Sequence, residues 1–156
     1  SEMAIGGAKD SFSEVYNESL GLIRKRIKSS HLKVLDQTIG RYTKTKVGIL
    51  YLEGVCKEHL PKDIYQQLER IDIDGILDSS YLKNALEEKR SLFPTLIMTE
   101  RPDKCSMALL EGKVVIVVDN SPYALILPSF FIDYFHTTDD YFQKAFNTTF
   151  ISLVFY

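Results

Sequence analysis

Apolar residues recur at helical spacing through Phe12, Val15, Tyr16, Leu20, Ile23 and Ile27, behind a capping box at Ser11-Phe12-Ser13-Glu14. The pattern predicts an amphipathic helix over 11–28, with Arg24, Lys25, Arg26 and Lys28 at its exposed end. The spacing then changes. Residues 32–40 and 46–53 are rich in β-branched and aromatic side chains and are joined by the polar Arg41-Tyr42-Thr43-Lys44-Thr45, which predicts a β-hairpin. Pro61 suits the first turn of a second helix running to about Ile71, with Ile64, Tyr65, Leu68 and Ile71 on one face. Gly75 breaks it, and Asp78 or Ser79 caps a third helix carrying Tyr81, Leu82, Ala85 and Leu86.

Thr95 to Thr99 reads as a short buried strand. Pro102 fits a helical first position, Asp103 lies at the positive end of the dipole, and Gly112 closes the helix. Lys113 to Val118 is a nearly continuous apolar β run, so 95–118 is expected to form a parallel βαβ crossover with its second strand buried on both faces. Asp119-Asn120-Ser121-Pro122 turns the chain, Tyr123 to Leu127 returns antiparallel, and Pro128 ends the strand. The expected fold class is α/β (mixed α+β), a mixed sheet of about five strands with a βαβ crossover and flanking helices.

From Ser129 onward the chain holds 10 of its 18 aromatic residues. Thr137-Thr138-Asp139-Asp140 starts a last helix, over 137–156, with Tyr141, Phe142, Ala145, Phe146, Phe150, Leu153 and Val154 as an apolar stripe. Such a stripe either packs on the domain core or faces a membrane or a partner. No apolar run approaches the roughly 18 to 20 residues that span a bilayer. The start at Ser1-Glu2-Met3 and the apolar end at Ile151 to Tyr156 read as the limits of a segment within a longer polypeptide.

Length and composition set the frame for function. With 156 residues, 45% of them apolar, the chain makes one ordinary domain that buries a sizeable core without staples. Cys56 and Cys105 stand 49 positions apart, without partners at zinc-ligand spacing, and read as buried thiols of a reducing compartment. A net charge of −2 gives no general reason to expect nucleic acid as a partner.

The charge is uneven, however. Between Arg24 and Lys46 stand eight Lys or Arg residues against one acid, Asp36. A solvated helix face beside a polar hairpin turn explains the run, and so does a surface for anionic lipid, an acidic partner or RNA. The RNA reading is the weakest, for want of aromatics interleaved on a sheet face. Asp72, Asp74 and Asp78 around Gly75 match a calcium loop poorly, because apolar Ile76 and Leu77 follow the glycine; a helix-end turn fits better. No nucleophile elbow, phosphate-binding glycine loop or metal-helix motif occurs, and His31, His59 and His136 stand alone. No catalytic residue, metal or cofactor is expected.

The most distinctive segments are Thr99-Glu100-Arg101-Pro102-Asp103, Leu109-Leu110-Glu111-Gly112-Lys113-Val114 and Val118-Asp119-Asn120-Ser121-Pro122, in that order. They resemble the soluble N-terminal region of the A subunit of GerA-type spore germinant receptors. Gly7-Ala8-Lys9-Asp10-Ser11-Phe12, the basic helix end at Leu22 to Lys28, the hairpin at Gly40 to Val47, Tyr51-Leu52-Glu53-Gly54 and Ile71 to Ser79 extend the likeness across nearly the whole chain. Two departures stand out: Ala8-Lys9 replaces the family's usual Pro-Arg, and Asn120 stands where the family often has Gly in a turn. Asn tolerates positive φ, so that turn survives.

The resemblance implies the second, membrane-proximal half of a soluble cytosolic region, with the 137–156 helix leading toward a membrane part. It implies a place at the inner membrane of the bacterial spore, on the cytosolic (core) side, beside B and C subunits and other A-subunit copies. The receptor would answer small nutrients such as amino acids, sugars or nucleosides and start germination, without being an enzyme. Two roles follow for this chain. One is signalling and assembly, with Arg24, Lys25, Arg26, Lys28, Arg41, Lys44 and Lys46 as the partner or lipid surface. The other is direct binding of a small nutrient near Glu100, Arg101, Asp103, Asp119, Asn120 and Ser121, where Arg101 would meet a carboxylate. The same residues also suit an internal salt bridge and helix cap that fix the turn.

Overall fold

The computed structural model describes residues 16–71, 96–131 and 140–154. The Ser11 capping box, the Asp72 to Asp78 turn and the helix after it, Thr95, His136 and Thr137 to Asp139 lie outside the described residues. The elements are α1 (16–26), β1 (Leu32–Ile39), β2 (Thr45–Leu52), α2 (Leu60–Glu69) and β3 (Ile97–Thr99). They continue with α3 (Pro102–Leu110), β4 (Val114–Val118), β5 (Ala124–Leu127), a short 3-10 turn (Ser129–Phe131) and α4 (Asp140–Val154).

The five strands form one sheet in the order β1-β2-β4-β5-β3, and every neighbouring pair is antiparallel. The hairpin is as expected, pairing Leu32 with Leu52 and Ile39 with Thr45. The crossover is not. β3 and β4 do run in the same direction on either side of α3, but β5 lies between them and pairs with both. The parallel neighbours expected for 95–118 are therefore separated by an inserted strand, and the sheet is antiparallel rather than mixed. The physical reason lies at the β4–β5 turn: Asn120 adopts φ +70° and lets the chain fold straight back, so β5 takes the position beside β4. β3 is also not a buried strand. It is an edge strand, with Ile97 43% exposed and, within β3, only Thr99 buried.

Helices cover both faces of the sheet. On one face Ile49, Ile116 and Leu125 pack with Leu60, Ile64 and Leu68 of α2 and with Phe146, Phe150, Ile151 and Leu153 of α4. On the other, Leu50, Val115, Val117 and Ile126 pack with Leu20 and Ile23 of α1 and with Cys105, Ala108 and Leu109 of α3. The alternation of β4 is explained by this arrangement: Val114, Ile116 and Val118 serve one core and Val115 and Val117 the other, all buried. From Phe146 onward the apolar stripe of α4 packs on the domain core, as the first of its two sequence readings expects.

Close packing on the second face depends on one glycine. Gly48 on β2 lies opposite Asp36 on β1, and a Cβ on Gly48 would stand 2.5 Å from the Tyr16 hydroxyl. The gap admits the Tyr16 ring, whose hydroxyl donates to Asp36 Oδ1 at 2.8 Å while the Lys46 ammonium sits 4.7 Å from the ring centroid.

Candidate functional site

The pairings send β1, β3 and β4 toward one end of the sheet, so three connections meet there: the 40–44 turn, the Asp119–Pro122 turn and the Glu100–Arg101 link into α3. Register ties them together. Val118 pairs with Val47, Asp119 N–H donates to the Lys46 carbonyl at 2.9 Å, and Thr99 pairs with Ala124 just past the second turn. A small cleft, partly open to solvent, lies at this end between α1, the Thr99–Pro102 segment and the start of β5. Ser19, Ile23, Thr99, Glu100, Arg101 and Tyr123 contribute to its walls.

Of the residues expected to bind a ligand, Glu100 and Arg101 reach the cleft wall, whereas Asp103, Asp119, Asn120 and Ser121 are not part of it. Most are engaged in holding local structure. Arg101 Nε donates to Asp103 Oδ1 at 3.1 Å, a second guanidinium nitrogen bonds Oδ2, and both side chains are exposed. Hydrogen bonding to Arg101 holds the Asp103 carboxyl below its ordinary range, and the partner raises the guanidinium in turn. Arg101 N–H donates to Thr99 Oγ1, Asn120 N–H to Asp119 Oδ1 and Tyr123 N–H to Ser121 Oγ. The ion pair and the turn bonds expected of these residues are present, but the helix cap is not: no side chain hydrogen-bonds at the N-cap of α3. Ser19 and Ile23 were not expected here. They come from a helix some 80 positions upstream, and nothing local marks them as neighbours of Thr99.

The basic run is divided. Arg24, Lys25 and Arg26 lie in the last turn of α1 and Lys28 beyond it, before β1 begins, whereas Arg41 and Lys44 lie past its far end. Eight strand residues, roughly 26 Å, separate the groups. The helix-end cations complement the dipole, and Arg26 donates to the Leu22 carbonyl at 3.4 Å. Lys46 covers Tyr16. Burial, then the hydrogen bond to Asp36 and the charges of Asp36 and Asp119, push the Tyr16 phenol well above the ordinary tyrosine range.

Among the described residues, no three His, Cys, Asp or Glu side chains gather closely enough to hold a metal ion. Both thiols are free, Cys105 buried and Cys56 half-buried, and burial pushes each from 9.0 up to about 11. The native state therefore holds both protons more tightly than the unfolded chain does. The thiols' contribution to stability is expected to be constant below pH 9 and to fall as the pH rises toward 11, which urea midpoints between pH 8 and 11 will show. A constant midpoint would contradict it. At pH 8 both thiols should react slowly with a disulfide reagent until the chain unfolds.

These features define an antiparallel sheet between two helical layers, whose loops meet at one end around a small cleft. The chain belongs to the GerA family: the model of the Bacillus/Clostridium GerA spore germination protein matches residues 1–156. Spore germination protein KA of Bacillus subtilis (strain 168) is 36% identical over 144 residues, 92% of this chain and 26% of the relative. Spore germination protein B1 of the same strain is 33% identical over 157 residues, 100% of this chain and 32% of the relative. Spore germination protein XA of Bacillus anthracis is 39% identical over 140 residues, 89% of this chain and 28% of the relative. The chain thus spans about a quarter to a third of the length of these curated relatives. The crystal structure of the N-terminal domain of the A subunit of the Bacillus megaterium spore germinant receptor GerK3 is similar in fold, with a TM-score of 0.58 and 39% identity. The match covers 72% of this chain and 90% of that one. No helix among the described residues is long and apolar enough to cross a membrane.

Proposed function

We propose that this chain is a non-enzymatic signalling and assembly domain of a germinant receptor A subunit, coupling nutrient sensing to a membrane part and so triggering spore germination. The family match over residues 1–156 carries this reading. In it, the domain is the membrane-proximal part of the soluble region, on the cytosolic side of the spore inner membrane, in contact with B and C subunits and other A-subunit copies. Because both sheet faces are filled by the domain's own helices, contacts fall on its ends and helix surfaces. The cations at the end of α1 form one such surface. Spores whose receptor carries R24E and R26E are expected to germinate more slowly in nutrient at unchanged receptor abundance. An unchanged rate would remove this surface from the reading. Lys46 is unsuited to the test, since it packs on Tyr16.

A second reading, direct binding of a small polar nutrient, is supported by the cleft, whose walls include Ser19, Glu100 and Tyr123. Arg101 would take a ligand carboxylate only by sharing its guanidinium with Asp103. Amide NMR titration with amino acids, sugars and nucleosides is expected to give saturable shifts at Ser19, Thr99–Arg101 and Tyr123. Arg101→Ala, an exposed site, should keep the fold and alter only that response. A flat response to every compound would overturn the second reading and leave the first.

A further inference from the structure

We propose that the tip of the β1–β2 hairpin seats on an anionic phospholipid surface. Arg41, Tyr42, Thr43 and Lys44 are all exposed, and Tyr42 is 78% exposed, the most of any large apolar side chain described. The Arg41 guanidinium lies 5.5 Å from the Tyr42 ring centroid, so cation and aromatic share one apex. No acidic residue stands between Asp36 and Glu53, and Asp36 accepts the Tyr16 hydroxyl. An amphipathic ring with cations on both sides is what a headgroup layer receives, since the ring settles at headgroup depth while Lys and Arg meet phosphates.

The backbone strengthens the argument. Lys44 adopts φ +46°, a left-handed conformation that Gly or Asn takes at lower cost, yet the chain keeps a cation there. Unlike the helix-end cations, Lys44 stands at no helix terminus whose dipole would explain its charge. The tip is also convex and only a few residues wide. A peptide needs a groove or a free strand edge, whereas a lipid surface accepts a protrusion. Met107 and Leu110, the other strongly exposed apolar residues, sit on α3 beside the Glu111–Lys113 ion pair and carry no such cationic frame.

This inference deepens the reading above by naming the lipid face of the domain, and it is tested separately on the 156-residue chain. The sequence contains no Trp, so Y42W places the sole indole at the tip. With vesicles of phosphatidylcholine containing phosphatidylglycerol, its emission is expected to shift to the blue and to be shielded from a soluble quencher. Phosphatidylcholine alone should give no shift, and added salt should weaken the effect. In the Y42W background, R41Q and K44Q should each raise the lipid concentration for half-effect about fivefold. F130W, a sole indole after β5 at the opposite end of the sheet, should not respond, and circular dichroism will show that each variant is folded. No shift with anionic vesicles, an equal shift with neutral ones, or an equal response of F130W would overturn the proposal. A shift with poly-glutamate or RNA but not with vesicles would overturn it in favour of an acidic macromolecule.

Discussion

Truncation of Phe150 to alanine is expected to destabilise the domain by about 4 kcal/mol, the usual range for deleting a fully buried aromatic side chain. Domains of this size hold only about 5–15 kcal/mol, so roughly a quarter to four-fifths of the margin would go. Phe146, Phe150 and Leu153 fall at i, i+4 and i+7 on α4 and are fully buried in the same cluster as Leu125 and Leu127. Their burial makes the last helix, together with α2, a cover of that sheet face. Thermal unfolding followed by circular dichroism should show a loss of about 12 °C. A change of only a degree or two would mean that α4 contributes little to the isolated domain and needs other support.

The second large effect is expected at Gly48→Ala, about 2–3 kcal/mol. The new methyl would stand 2.5 Å from the Tyr16 hydroxyl and 3.2 Å from the ring carbon that bears it. A tyrosine on a mobile surface would simply turn away. Tyr16 is 2% exposed, bonded to Asp36 and covered by Lys46, so the strain has nowhere to go. Tyr16→Phe alone should cost about 1 kcal/mol through the lost hydrogen bond. In that background Gly48→Ala should be milder by 1 kcal/mol or more, since the clashing oxygen is gone. Equal penalties in both backgrounds would place the strain elsewhere than at the hydroxyl.

The comparison of sequence with structure turns on what a hydrophobic pattern encodes. The β-branched and aromatic residues of 32–40 and 46–53 around a polar turn report a hairpin, and β1 and β2 came out within a residue or so of the expected limits. The apolar run Val114 to Val118 reports burial on both faces, which is true. It does not report the direction of the neighbour, because antiparallel strands between two helical layers need the same composition as parallel ones. The return of β5 beside β4 through the Asn120 turn was expected; the unread fact is that β2 takes the other side of β4, which leaves β3 no place next to it.

For the site, the Glu100–Asp103 and Asp119–Ser121 segments were expected near one another from the crevice rule for parallel strands; they do lie at one end of the sheet, although the sheet is antiparallel. The walls supplied by Ser19 and Ile23 were not legible, since helix docking is set by packing over long sequence distances. The division of the basic run was legible in principle. Arg24 to Lys28 precede the first strand and Arg41 to Lys46 follow it, yet a charge count along the chain ignores the length of a strand.

The inserted strand also sets an order of events during synthesis. Among the described residues β3 pairs only with β5, and Thr99 meets its partner Ala124 25 residues downstream. As the chain leaves the ribosome, Ile97 to Thr99 have no strand to join until β4 has been laid down and β5 has turned back along it. The cleft wall at Thr99–Pro102 is therefore completed late, when the hairpin and the α3 layer already have their sequence in hand.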